Sequence, residues 1–158
     1  MIFIGQFEFV VDDKGRVNVP AKFRDQLPED NKQLIILKGL DGRLVMYPES
    51  EIENLMEQFA GDHFLAAEGA RRFQDQMLDG GSVEKPDGQG RVSLNAEQMS
   101  HAGLTKKKPV RFSGSFKHIH IWNPERHDEF VKPQGQVPNL EESASKHFGQ
   151  QSKPESDS

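Results

Sequence analysis

Cysteine is absent from the 158 residues. Disulfides, thiolate nucleophiles and cysteine-held metals are thereby excluded, which suits a reducing compartment. Long apolar runs are also lacking: none approaches the roughly 18 residues of a membrane-spanning helix. The opening stretch MIFIGQFEFVV carries neither a basic leader nor a small-residue cleavage site, so a secretory signal is not expected. The expectation is a cytoplasmic protein without a membrane partner. Strongly apolar residues make up only 34% of the chain, and mean hydropathy is −0.72. Half of such a chain would bury a marginal core, because small domains hide little of their surface. Two halves are therefore expected to pack on each other, on further copies, or both.

The usual catalytic constellations are missing as well. Ser50, Ser82, Ser93, Ser100, Ser113 and Ser115 are available, but none lies in a Gly-x-Ser-x-Gly elbow. Gly80-Gly81 and Gly88-Gln89-Gly90 lack the Lys-Ser/Thr that completes a phosphate loop. The abundant carboxylates fall on faces expected to be exposed. His118 and His120 share one face of a predicted strand, the spacing of a metal pair. No cysteine exists and no Asp or Glu adjoins them, so a solvent-facing pair is the expectation. The reading assigns no catalytic residue, no metal, no cofactor and no small-molecule substrate.

Net charge is −5, opposite to the basic footprint usual for nucleic-acid binding. The charge is unevenly spread. Segment 14–24 holds Lys14, Arg16, Lys22 and Arg24 with no acid among them, whereas Glu49, Glu51, Glu53 and Glu57 crowd a stretch without a base. A basic edge on an acidic body fits this pattern, since field sign belongs to surfaces rather than to whole chains.

A repeat organises the chain. Asp12-Asp13-Lys14-Gly15-Arg16-Val17-Asn18-Val19 recurs as Asp87-Gly88-Gln89-Gly90-Arg91-Val92-Ser93-Leu94, 75 positions later. At the same offset Ala21 meets Ala96, Gly39 meets Gly114, Leu44–Tyr47 meets Ile119–Trp122, and Leu55 meets Phe130. So many ordered matches at one spacing indicate duplication.

Each half has one plan. Phe7–Val11 alternates as a strand, Asp12–Gly15 is turn chemistry, and Val17–Val19 returns, which predicts a hairpin. Pro20 opens a short helix, Ala21 to about Leu27. Leu34–Leu37 and Leu44–Tyr47 predict a second hairpin around Gly39–Gly42. Glu49–Phe59 is a predicted helix with Ile52, Leu55, Met56 and Phe59 on its apolar face. A further helix is expected over Phe64–Leu78. The second half repeats the plan: strands at Ser82–Lys85 and Val92–Leu94, a helix at Ala96–His101, strands at Val110–Ser113 and His118–Trp122, and a helix from Pro124 to Val131. The expected fold class is α+β, mainly β. The expected units are residues 1–78, 79–132 and a tail over 133–158 that is net acidic and too poor in apolar residues to order itself.

The recurring element is Asp-x-x-Gly-Arg, Asp12 to Arg16 and Asp87 to Arg91. Asp12 and Asp87 can cap the turn, Gly15 and Gly90 let the backbone reverse, and Arg projects as the chain returns. Such a narrow cationic tip can approach DNA phosphates and the major groove, and Arg suits bidentate contact with guanine or phosphate. The competing reading pairs Arg16 with Asp12 as an ordinary ion pair.

With Gly5–Glu8, Asp12–Val17, Val19–Arg24, Leu44–Pro48, Arg71–Phe73, Asp87–Arg91 and Ala102–Leu104, the chain resembles the MraZ family of bacterial regulators over about residues 1–132. The resemblance implies tandem pseudo-symmetric halves related to the swapped-hairpin AbrB-like fold. It also implies a ring-shaped homo-oligomer of roughly eight to twelve subunits and double-stranded DNA as partner. The implied action is nucleoid-associated binding to promoter direct repeats upstream of the division and cell-wall gene cluster, usually as a repressor. Carried onto this sequence, the family's DNA contacts fall on Lys14, Arg16 and Arg91. Gly88, Asn95 and Met99 stand where the family often has a basic or polar residue, a Pro and an Arg, and Gln74 replaces a residue that is often basic. The second tip is thus expected to be less cationic, and the first to be the main reader.

Lys22 and Arg24, flanking Phe23, are further DNA-contact candidates, weighed against solvated residues beside a core Phe. Arg71-Arg72 reads as structural, and Tyr47 and Trp122 as packing residues. Two readings compete with the regulator: a ring-forming interaction scaffold with weak or lost DNA binding, and an AbrB-like antitoxin with a toxin partner.

Overall fold

The computed structural model describes residues 1–59, 68–132 and 139–148. In chain order the elements are β1 (Gln6–Val10), β2 (Arg16–Asn18), α1 (Ala21–Arg24), β3 (Leu34–Lys38), β4 (Leu44–Pro48), α2 (Ile52–Phe59) and α3 (Glu68–Leu78). Then follow β5 (Ser82–Glu84), β6 (Arg91–Ser93), α4 (Ala96–Ala102), β7 (Pro109–Ser115), β8 (His118–Trp122), α5 (Pro124–Val131) and α6 (Leu140–Phe148). Residues Met1–Pro124 form one compact unit and Glu125–Ser158 another. The α+β class with an antiparallel sheet matches the expectation. Of the helix expected over Phe64–Leu78, residues 64–67 lie outside the described residues. In the stretch read as a tail, α6 exposes every residue.

Six strands build one antiparallel sheet in the order β1-β7-β8-β4-β3-β5, and β2 with β6 forms a separate two-stranded ribbon. The expected second hairpin is present: Leu34 faces Pro48 and Lys38 faces Leu44 in the β3–β4 ladder. The expected first hairpin is corrected. β1 and β2 share no ladder, although Asp12 N donates to Arg16 O at 2.9 Å to close the turn. Beyond that bond the strands part. β1 runs along β7, with Glu8 opposite Arg111, and β2 runs along β6, with Val17 opposite Val92. Burial across the halves sets the partner: Val17 and Val92, opposite each other, are both buried, while Arg16 and Asn18 face outward. A strand this short buries its one apolar side chain only by lying over the core with β6.

That core is shared by both halves of the sequence. Val11, Val17, Phe23, Leu34, Leu44 and Met46 interlock with Val92, Leu94, Val110, Phe112, Ile119 and Ile121 in one cluster. Phe23 anchors α1 beneath the ribbon, meeting Phe3 and Phe7 edge-on at ring distances of 5.4 and 5.2 Å, the geometry aromatic quadrupoles favour. Truncating such a side chain to Ala costs about 3–5 kcal/mol.

The helices hold the ribbon in place. α4 begins with a full capping box: Asn95 Oδ1 accepts from Gln98 N at 2.8 Å, and Gln98 Oε1 accepts from Asn95 N at 3.0 Å. Gln98 is wholly buried and also donates to Ser82 Oγ and Ile36 O. The predicted apolar face of α2 is corrected in part. Leu55 is buried and Ile52 half-buried, but Met56 is 61% exposed. The side chain of Phe59 lies outside the described residues.

Candidate nucleic-acid interface

The β2–β6 ribbon carries both Asp-x-x-x-Arg turns, one at the start of each strand. Arg16 pairs with Ser93 and Asn18 with Arg91 across it. Val17 and Val92 point into the core, so strict alternation sends Arg16, Asn18, Arg91 and Ser93 to the opposite face. Two guanidiniums, a carboxamide and a hydroxyl thus stand together on a narrow polar surface.

Each turn is locked by its own aspartate. Asp12 Oδ1 accepts from Lys14 N at 2.9 Å and Arg16 N at 2.8 Å, while Oδ2 accepts from Arg16 Nε at 2.7 Å. In the second turn Asp87 Oδ1 accepts from Gln89 N and Arg91 N, both at 2.9 Å, and Oδ2 accepts from Arg91 Nε at 2.9 Å. Gly15 and Gly90 take φ of +78° and +80°, a region that suits glycine. Desolvation works to raise the Asp12 pKa, but the hydrogen bonds from Arg16 and Lys14 outweigh it and hold the carboxyl below its usual value. At Asp87 the Arg91 backbone hydrogen bond leads, desolvation opposes it, and the net direction is again downward. The ion pair weighed from the sequence is therefore present, with Arg16 engaged through Nε alone. Its two Nη groups carry no hydrogen bond among the described residues. The Asp pairing orients the fork and leaves its outer edge free for a carboxylate, phosphate or guanine.

Each turn is also completed by the other half of the chain. Arg24, on α1, donates from Nε to Val19 O at 2.8 Å and lies against the α-carbon of Gly90. A methyl group on Gly90 would stand 2.6 Å from Arg24 Nε. Arg24 thus serves the second turn. Met99, its counterpart on α4, lies at the first: a methyl on Gly15 would stand 3.5 Å from Met99 Sδ. The charge missing at Met99 was assigned to the second tip from the sequence, whereas the structure places that gap at the first. Lys32 and Lys85 line a cleft of about 210 Å³ with Arg24 and Asp87 beside the second turn.

Lys14 and Lys22 are exposed and take part in no ion pair among the described residues. Lys14 rides on the first turn, and Lys22 is the exposed neighbour of buried Phe23 on α1. Asn18 and Ser93 were missed from the sequence; the Arg-Val-Asn and Arg-Val-Ser alternation was the available signal. His118 and His120 are adjacent, with Nε2 atoms 3.1 Å apart. Burial, then the nearby Arg43 charge, lowers the His118 pKa. Among the described residues no three His, Cys, Asp or Glu side chains gather as a metal site. No helix among them is long and apolar enough to cross a membrane. Arg72 pairs with Glu68 at 3.0 Å on α3.

The comparisons with known proteins point one way. Residues 2–76 match the family model described as "MraZ protein, putative antitoxin-like". A protein of Saccharopolyspora erythraea named transcriptional regulator MraZ is 37% identical over 130 residues, covering 82% of this chain and 87% of that relative. A protein of the same name from Lachnoclostridium phytofermentans is 35% identical, over 79% of this chain and 84% of its own length. Another, from Heliobacterium modesticaldum, is 34% identical over 92% of this chain and 96% of its own. With both Asp-x-x-x-Arg turns on one ribbon and relatives this similar over most of its length, the chain belongs to the MraZ family.

Proposed function

We propose that this chain is a sequence-specific DNA-binding transcriptional regulator that reads duplex DNA with the outer face of the β2–β6 ribbon. The observation that carries the reading is the set of Arg16, Asn18, Arg91 and Ser93 on one exposed face, with each arginine fork oriented by its own aspartate. A two-stranded ribbon fits the major groove. Arg reads guanine there, Asn reads adenine, and Ser accepts either. Lys14, Lys22 and Arg24 contact phosphates and fix register. The relatives' shared name as transcriptional regulators supports the class.

The finer parts of the proposal rest on the family resemblance. They are a cytoplasmic, nucleoid-associated repressor acting on the division and cell-wall gene cluster. It would bind promoter direct repeats as a ring, without cofactor or catalytic step. The two halves would be related by a pseudo-two-fold as swapped hairpins. Reciprocal pairing supports this last point: β1 runs along β7 while its counterpart β5 runs along β3. Val19 N donates to Gly90 O, and Leu94 N to Gly15 O, each at 2.9 Å.

The second reading, a ring-forming scaffold with weak DNA affinity, draws on one observation: both arginines already hold an aspartate. Titrating the protein against its own upstream DNA and an unrelated duplex, across a salt series, separates the two. The regulator binds the upstream DNA on the order of 10³-fold or more tightly, with affinity falling steeply as salt rises. A scaffold binds both weakly and alike.

A further inference from the structure

We propose that the turn Thr105–Lys108 is a phosphate-binding arm that belongs to the first Asp-x-x-x-Arg turn, although it comes from the other half of the chain. The proposal rests on the DNA-binding reading above and adds an element to that surface. Lys106, Lys107 and Lys108 are consecutive and exposed, and none takes part in an ion pair among the described residues. The turn is tied directly to the strand that feeds the first tip: Lys107 N donates to Val11 O at 2.7 Å, and Val11 N donates to Lys108 O at 3.0 Å. Asp12 is the next residue. The aliphatic end of Lys106 also reaches the tip, for a methyl on Gly15 would stand 3.9 Å from Lys106 Cε. Lys106 thus lies beside Met99 at the turn that lacks the charge Arg24 gives the second, and exposed Lys107 and Lys108 follow it on the backbone tied to Val11, with exposed Lys14 on the turn itself.

Backbone conformation supports a role beyond turn-making. The turn closes through Lys108 N to Thr105 O at 3.1 Å, and Lys107, at its third position, has φ of +66°. Glycine or asparagine takes that position without strain. A lysine there holds its side chain at a conformational cost, the kind of strain that gathers at functional sites. The corresponding turn of the first half, Asn31-Lys32-Gln33, has a single lysine, and that one is engaged with Leu27 O and Glu29. The run of consecutive lysines therefore belongs to the first tip alone of the two. As flexible point charges, lysines bind phosphates without reading sequence.

The test uses the full chain with Lys106, Lys107 and Lys108 all changed to Gln, and separately with Lys107→Gly. Both are titrated against upstream and unrelated duplexes over a salt series, beside wild type and Arg16→Ala. The triple variant is expected to lose on the order of tenfold or more on both duplexes at physiological salt, and its log–log salt slope to fall by about 2 to 3. The ratio of specific to unrelated binding stays unchanged. Lys107→Gly is expected to keep or raise Tm while binding both duplexes more weakly, so loss of folding cannot imitate the effect. Arg16→Ala, by contrast, lowers the ratio. If wild type prefers upstream DNA and Arg16→Ala removes that preference, yet the lysine variants keep affinity and slope, the arm is refuted and the ribbon reading stands. If wild type shows no preference for upstream DNA, the ribbon reading falls, and the arm falls with it.

Discussion

The two glycines of the turns differ sharply from a third nearby. Gly90 combines φ of +80° with a guanidinium packed against its α-carbon, whereas a methyl on Gly88 meets nothing within 4 Å. Gly90→Ala is expected to destabilise the fold by about 1–3 kcal/mol, through backbone strain and displacement of Arg24. Gly88→Ala should change little, and chemical denaturation of the two variants checks the pair. The aspartates make a second prediction. Their folded pKa values lie below the ordinary value of 3.8. Their contribution is therefore fully present above that value and is lost as pH falls through the folded values. Thermal midpoints should drop on acidification below about pH 3.8 more steeply in wild type than in Asp12→Asn. Equal slopes would show that the turns do not depend on the ionised carboxyl. At this scale the sequence was informative: the Asp, Gly and Arg identities announced the turn chemistry. It did not reveal Asn18 or Ser93, because an exposed Asn or Ser on a three-residue strand has no signature apart from its neighbours.

Elements show where sequence reading stops. β3, β4 and β8 fell where alternation and apolar runs placed them, since local pattern dictates such strands. Strand partners did not follow. Asp12–Gly15 has every mark of a hairpin turn, yet β1 and β2 pair with β7 and β6. Pairing is set by burial of Val17 against Val92 and of Phe9 against Phe112, contacts between residues some 75 to 103 positions apart. The role of Arg24 was hidden for the same reason, because it completes a turn of the other half. Helix α4 gives the clearest test of this cross-half locking. Gln98 is buried with bonds to the Asn95 cap, Ser82 and Ile36, so Gln98→Ala strands several polar partners. A loss of about 1–3 kcal/mol is expected. Urea unfolding measures it, and a change below a few tenths would mean that water replaces these bonds freely.

Across the whole molecule, the chain is acidic but its polarity is local. The ribbon carries Arg16 and Arg91, with Lys14 on the first turn and Arg24 on α1 beside the second, while Glu49, Glu51, Glu53 and Glu57 fall on α2 and its approach. One chain offers one ribbon, so affinity per subunit is modest. In the proposed ring, several ribbons together would gain avidity on repeated sites. Duplexes with one, two and several upstream repeats should therefore bind with steeply rising affinity. Equal binding to one repeat and to several would remove the ring from the mechanism.

The most direct test of the central claim is the specificity ratio, upstream over unrelated duplex, for wild type and Arg16→Ala at one fixed salt concentration. The account predicts that Arg16→Ala loses about 1–3 kcal/mol on upstream DNA, little on unrelated DNA, and keeps its fold by circular dichroism. An unchanged ratio in a folded Arg16→Ala protein would contradict it and place DNA recognition somewhere other than the ribbon.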